Sequence, residues 1–136
     1  MKKDDCIFCK LANGSIPTNT LYEDEDFRVI LDLEPATRGH ALIIPKEHAA
    51  NLFEFPDEKA AGAFVLAKKM AVRMKEKLHC DGVHLVQNNG EVAGQTIFHF
   101  HIHVIPRYVN DGQRIEWEKG SPSQDDLESV KTLITE

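Results

Sequence analysis

His99, His101 and His103 stand at alternate positions of "FHFHIHVI", residues 98–105, with Phe100 and Ile102 between them and Val104 after them. In a strand, successive side chains point to opposite faces, so the three imidazoles share one side and the three apolar residues the other. At a rise of about 3.3 Å per residue, neighbouring imidazoles stand roughly 6–7 Å apart, a span that can bracket a phosphoryl group and its leaving atom. Imidazole can act there as nucleophile, as donor to an anionic oxygen, or as proton carrier near neutral pH. Just upstream, Gly90 and Gly94 let backbone N–H groups approach an anion, and Gln95 and Thr96 can donate to phosphate oxygens. A second chemical group is the Cys6-x-x-Cys9 pair. With three cysteines and no apolar run behind "MKKDDCIFCK", a disulfide framework is not expected, which leaves metal binding or redox chemistry for the pair. Zinc would need four N or S ligands, and the pair supplies two. Cys80, His79 and His84 belong to no motif and read as surface or packing residues.

The elements that must hold these groups follow from periodicity. "LYEDEDFRVILDL" (21–33) has β-rich ends around a charged centre, which predicts two short strands joined near Asp24 and Glu25. "HALIIP" (40–45) predicts a third strand. Ala60, Phe64, Ala67, Ala71, Met74 and Leu78 recur at spacings of three and four, marking one face of a long helix between Asp57, a possible cap, and "CDG" at 80–82. "VHLVQN" (83–88) and "TIFHFHIHVIP" (96–106) predict two more strands, paired antiparallel, the latter the longest. Ser121 with Gln124 forms a candidate capping box for a short last helix carrying Leu127, Val130 and Ile134 on one side. The order β, β, β, α, β, β predicts an α+β fold: an antiparallel sheet of about five strands with one long helix and short terminal helices.

Composition narrows the partners. A net charge of -6 from 16 basic and 22 acidic residues argues against nucleic-acid binding, which needs a basic face. No window approaches the ~20 apolar residues of a membrane span, so no membrane partner and a cytoplasmic location are expected.

The run His99-Phe100-His101-Ile102-His103-Val104-Ile105 is similar to the His-φ-His-φ-His-φ-φ signature of the histidine triad (HIT) nucleotide hydrolases and transferases. "CIFCKLANGSIP", "GHALIIPKEH" and "NNGEVAGQTIFHFHIHVIPR" resemble that family's three blocks in order, over roughly residues 6 to 107. The resemblance is nearest to the homodimeric bacterial and nucleoside-phosphoramidase branch, and it implies a single HIT domain over residues 1–136. It further implies that His101 attacks the α-phosphorus of a purine nucleotide to form a nucleotidyl-histidine. His103 would contact the phosphate and assist the leaving group, and His40 would position the nucleophile. Asp32 would bond the ribose hydroxyls, and Asn88 holds the polar position at the end of the preceding strand. Ile7, Phe8, Leu11, Ile30 and Leu33 would wall the base pocket, although each reads equally well as core. The resemblance completes a structural zinc site with His48 and His99 beside Cys6 and Cys9.

A homodimer through the long helix is also implied, with Ala60, Ala67 and Ala71 either permitting close packing or facing their own sheet. The substrate implied is a purine nucleoside 5'-phosphoramidate or similar conjugate. Two alternatives stand beside it: a dinucleoside polyphosphate, since Arg107 departs from the glycine pair of many phosphoramidases, and a nucleotide-binding regulatory module. Trp117 lies farther beyond His103 than the family's C-terminal tryptophan near the leaving group.

Overall fold

The computed structural model describes residues 2–136. Five strands, Thr20–Glu23 (β1), Phe27–Leu31 (β2), Ala41–Pro45 (β3), Gly82–Val86 (β4) and Ile102–Arg107 (β5), form one sheet in the order β1-β2-β3-β5-β4. Every neighbouring pair is antiparallel, so the α+β architecture is as the sequence pattern predicts. The β1–β2 turn closes because the Asp24 carboxylate accepts the N–H groups of Asp26 and Phe27, each at 2.8 Å. β3 is buried along its whole length, which explains its unbroken apolar run.

Alternation along the central strands divides their side chains between two layers. Val29, Ile43, Ile102 and Val104 pack beneath the long helix Asp57–Leu78 (α2). Ile30, Leu42 and Ile44 face the other way and meet Phe8 and Ala12 of the short helix Ile7–Ala12 (α1). His103 is the cross-strand partner of Leu42, so its imidazole lies on the α1 side. No helix among the described residues is long and apolar enough to cross a membrane.

Four expectations change. Asp57 is the first residue of α2 and Pro56 its cap residue, so the Asp57 side chain does not cap the helix. The core face of α2 is Ala63, Leu66, Ala67, Met70 and Met74, whereas Phe64 is 64% exposed. Ala67 therefore faces its own sheet. The last strand starts at Ile102 rather than 96, and residues 97–99 bend. Continued pairing would put Phe100 opposite Pro45, which has no N–H to donate. Phe100 gives its own N–H to the Ala49 carbonyl at 2.8 Å instead. The last helix, Gln124–Thr135 (α3), is capped by Ser123, whose hydroxyl accepts from the Asp126 N–H, and not by Ser121. All of its side chains are exposed.

Gly39 sets the entry to β3. It has φ +93, and a Cβ there would lie 2.4 Å from Leu78 Cδ1 and 3.3 Å from Pro106 Cγ. Gly39→Ala combines a left-handed backbone with a clash against packed side chains, and urea unfolding should show a loss of about 2 kcal/mol or more.

Candidate functional site

β5 delivers His103, and the bend before it delivers His101 and His99. The His101 and His103 ring centroids are 5.1 Å apart, closer than strand rise alone gives. His99 points away from this pair, into a cluster with Cys6, Cys9 and His48.

Hydrogen-bond partners determine which ring nitrogen carries each proton. His101 Nδ1 lies 2.7 Å from the His99 carbonyl; a carbonyl only accepts, so Nδ1 holds the proton and Nε2 keeps its lone pair. His40 Nδ1 accepts the Ala36 N–H at 2.9 Å, which puts the His40 proton on Nε2. That N–H donates to His103 Nδ1 at 2.9 Å, leaving the His103 proton on Nε2. One imidazole thus offers a lone pair and its neighbour an N–H. Asp32 Oδ2 stands 3.6 Å from His40 Nε2 and favours the same arrangement.

The His101 and His103 rings line a cavity of about 550 Å³, within the range of small-ligand sites. Phe8, Leu11, Ile30 and Leu33 supply apolar wall, and Asp32, Asn88 and Thr96 polar lining. Ile7 does not line it and is 46% exposed on the outside of α1. Gln95 does not line it either. Its side chain is 2% exposed and is committed to the loop: Oε1 accepts from Gly90 N–H at 2.9 Å, and Nε2 donates to the carbonyls of Ala50 and Ile97 at 2.7 and 3.1 Å. The Gly90 and Gly94 N–H groups are likewise used within the loop. Thr18, Asn19, Glu34, Leu42 and Ile97 line the cavity without having been foreseen. Leu42 was recoverable from the β3–β5 register; Thr18 and Asn19 lie in irregular chain that carries no periodic signal.

The cluster of Cys6, Cys9, His48 and His99 brings its four candidate ligand atoms within 4.8 Å of one another. His99 Nδ1 is 3.4 Å from both sulfurs, and His48 Nδ1 is 3.4 Å from Cys9 Sγ. Zn–S bonds of about 2.3 Å and Zn–N bonds of about 2.0–2.1 Å at the tetrahedral angle place S and N roughly 3.5 Å apart, so the spacing suits a closed tetrahedral ion. His99 Nε2–H donates to the Pro45 carbonyl at 2.8 Å, which frees Nδ1 as a ligand in the manner of metal-bound histidines. Asp32, His40 and His103 also lie within 4.8 Å of one another. Their chemistry is that of a hydrogen-bond relay, because a proton occupies His40 Nε2 where a metal would sit.

Burial depresses the basicity of these imidazoles. It pushes His103 down to about 4, with the neighbouring His101 and His40 adding to the effect and Asp32 opposing it; burial lowers His40 too, against the pull of Asp32. Both rings are neutral at pH 7, as the assigned protons require. Between the His103 value of about 4 and its ordinary value of 6.5, the unfolded chain binds a proton that the folded chain refuses. Stability is therefore full above about pH 6.5 and falls as pH drops toward 4. A Tm series from pH 8 to 4.5 should be flat at its alkaline end and decline below pH 6.5, and His103→Asn should make the decline shallower.

Residues 13–110 match the sequence profile of the HIT domain. The chain is 40% identical over 134 residues to "Protein hit" of Bacillus subtilis, covering 96% of this chain and 92% of that protein. It is 43% identical over 102 residues to adenosine 5'-monophosphoramidase HNT1 of Saccharomyces cerevisiae, covering 75% of this chain and 62% of that one. A Zn-bound histidine triad family protein of Mycobacterium smegmatis has a similar structure, with a TM-score of 0.75 at 35% identity over 95% of this chain and 97% of that one.

Proposed function

Because the chain belongs to the HIT domain family, we propose that it is a hydrolase acting at the α-phosphate of a purine nucleoside 5'-phosphoramidate or a similar nucleotidyl conjugate. The observation that carries this reading is the pairing of an unprotonated His101 Nε2 with a protonated His103 Nε2 on rings that line one cavity. In the reaction, His101 Nε2 attacks the α-phosphorus and the P–N bond breaks. The leaving nitrogen, hydrogen-bonded by His103 Nε2–H, takes a proton from water and departs as the free amine, and His40 Nε2–H holds the His103 ring in that sense. The hydroxide left by that proton transfer then attacks the nucleotidyl-histidine, the P–N bond to His101 breaks, and the ring is returned as the nucleoside monophosphate is released. Asp32 faces the ribose hydroxyls, Asn88 and Thr96 the phosphate, and Phe8, Leu11, Ile30 and Leu33 the base.

Two further points support a phosphoramidate over a dinucleoside polyphosphate. The yeast relative named above is a phosphoramidase. Arg107, in the "IPR" segment (105–107) that departs from the glycine pair of many phosphoramidases, is held by Asp111 and does not line the cavity, so it puts no cation beside a polyphosphate chain. The test is a direct comparison of kcat/KM for adenosine 5'-phosphoramidate and diadenosine polyphosphates. Preference for the latter, or binding of nucleotide with no turnover of either, would overturn the assignment.

The same reading places a structural zinc ion among Cys6, Cys9, His48 and His99, supported by the S···N spacing and by the Zn-bound relative. It makes the protein a homodimer through α2, supported by the exposed Phe64, Val65 and Val72 on that helix. It places the protein in the cytoplasm, supported by three cysteines that form no disulfide. Trp117 is exposed and off the cavity lining, and it takes no part in the steps above.

A further inference from the structure

Residues 108–113 leave β5 and turn back over the loop that precedes His40, and the reaction just described does not use them. Arg107 grips this turn: its Nε and Nη2 donate to the Asp111 carboxylate at 2.7 and 2.8 Å, and Nη2 also donates to the Gln113 carbonyl. Asp111 in turn accepts the N–H groups of Tyr108 and Gln113, each at 3.0 Å. From the anchored turn two side chains reach the loop. The Tyr108 hydroxyl donates to the Arg38 carbonyl at 2.7 Å, and the Gln113 amide donates to the Ala36 carbonyl at 2.8 Å. Ala36 is the residue whose N–H occupies His40 Nδ1.

We infer that Gln113 is a positioning residue: by holding Ala36 against His40, it keeps the His40–His103 pair in the one proton arrangement that presents an N–H to the phosphoryl group. This rests on the functional reading above. The His40–His103 bond can form in two senses, because each neutral imidazole has one donor and one acceptor nitrogen. With Ala36 N–H on His40 Nδ1, the bond runs from His40 to His103, and His103 Nε2 carries a proton. If Ala36 draws back, His40 can hold its proton on Nδ1 and accept from His103 Nδ1. His103 Nε2 then shows a lone pair to the phosphate oxygens and has no N–H to donate to the leaving nitrogen. Asp32 cannot enforce the sense alone, since 3.6 Å to His40 Nε2 is beyond hydrogen-bond range. The Thr37 hydroxyl bonds the Pro106 carbonyl, so the loop has its own anchor and loss of the Gln113 bond shifts Ala36 without unfolding it.

Gln113→Glu keeps the size of the side chain but removes its N–H and turns a carboxylate toward the Ala36 carbonyl. Gln113→Lys keeps a donor of similar reach. Gln113→Glu should lower kcat for adenosine 5'-phosphoramidate about fivefold with KM unchanged, the size of one lost hydrogen bond, while Gln113→Lys should stay within about twofold of wild type. ¹⁵N NMR of the imidazoles, recorded without nucleotide, reads the protons directly. Wild type and Gln113→Lys should show His40 and His103 each protonated on Nε2, and Gln113→Glu should show His40 as a mixture. Unchanged imidazole signals and kcat in Gln113→Glu would overturn the inference, as would an equal loss in Gln113→Lys. A shifted tautomer in Gln113→Glu together with no turnover by wild type would support the positioning role and refute the proposed reaction instead.

Discussion

His101→Ala should reduce turnover by at least about 10³-fold, because removing a nucleophile deletes both halves of a two-step path. The nucleotidyl adduct should disappear with it. Binding should survive, since Asp32, Asn88, Thr96 and the apolar wall stand on elements the substitution does not touch. Equilibrium titration with a nucleoside monophosphate should therefore give a Kd close to that of wild type. His103→Ala should behave differently: the nucleophile remains, so adduct still forms while turnover slows. Mass spectrometry of a quench that avoids acid locates the adduct. An adduct on a residue other than His101, or near-normal turnover of His101→Ala, would refute the mechanism and leave the fold untouched.

The other large effect concerns the metal. Gently purified protein should carry about one zinc per chain, and Cys9→Ala or removal by a strong chelator should cost about 3–5 kcal/mol, roughly 10–20 °C in Tm. The size follows from what the cluster joins. Cys6 and Cys9 sit on and beside α1, His48 follows β3, and His99 precedes β5. Without a cation, burial raises the Cys9 thiol above its ordinary value; a bound dication reverses that direction by stabilising thiolate. Activity per folded molecule should fall less than stability, because four protein ligands would fill a tetrahedral ion and leave no position for water. Elemental analysis that found no metal would rule the site out, and a redox role for the cysteine pair would then return.

The long helix was legible in its extent, since Asp57–Leu78 carries a clear period, but not in its caps: Pro56 precedes it where Asp57 was expected to cap, and His79 in the left-handed region ends it. Its orientation was not legible either. Stripes through 60, 64, 67 and 71 and through 63, 67, 70 and 74 both fit a 3.6 repeat, and only the docked sheet selects the second. The final strand failed at its start for a related reason: alternation of His and apolar residues persists through residues 98–101, but the ladder stops where Pro45 withdraws a donor. In the site, the triad histidines announce themselves, and family resemblance suggested that His48 and His99 belong with the cysteine pair. Gln95 misled because a polar side chain in a glycine-bearing loop reads as a phosphate donor until its three bonds to the loop are seen. The proton arrangement was invisible throughout, since it depends on where the His99 carbonyl and the Ala36 N–H point in the folded chain and on a His40–His103 bond that reaches across 63 positions.

That long reach also orders the protein's birth on the ribosome. Cys9 and His99 lie 90 positions apart and His40 and His103 lie 63 apart. A nascent chain that has released the cysteines, the first three strands and the long helix still lacks the partner of every one of those contacts. With His99 and His101 still unmade, its cysteine pair would have only His48 as a third ligand, and the proposed nucleophile would be absent. On the proposed reading, ion capture, nucleotide chemistry and the closing of the sheet all wait for the short stretch from His99 to Gln113, so competence arrives over about one to three seconds at translation rates of roughly 5–20 residues per second.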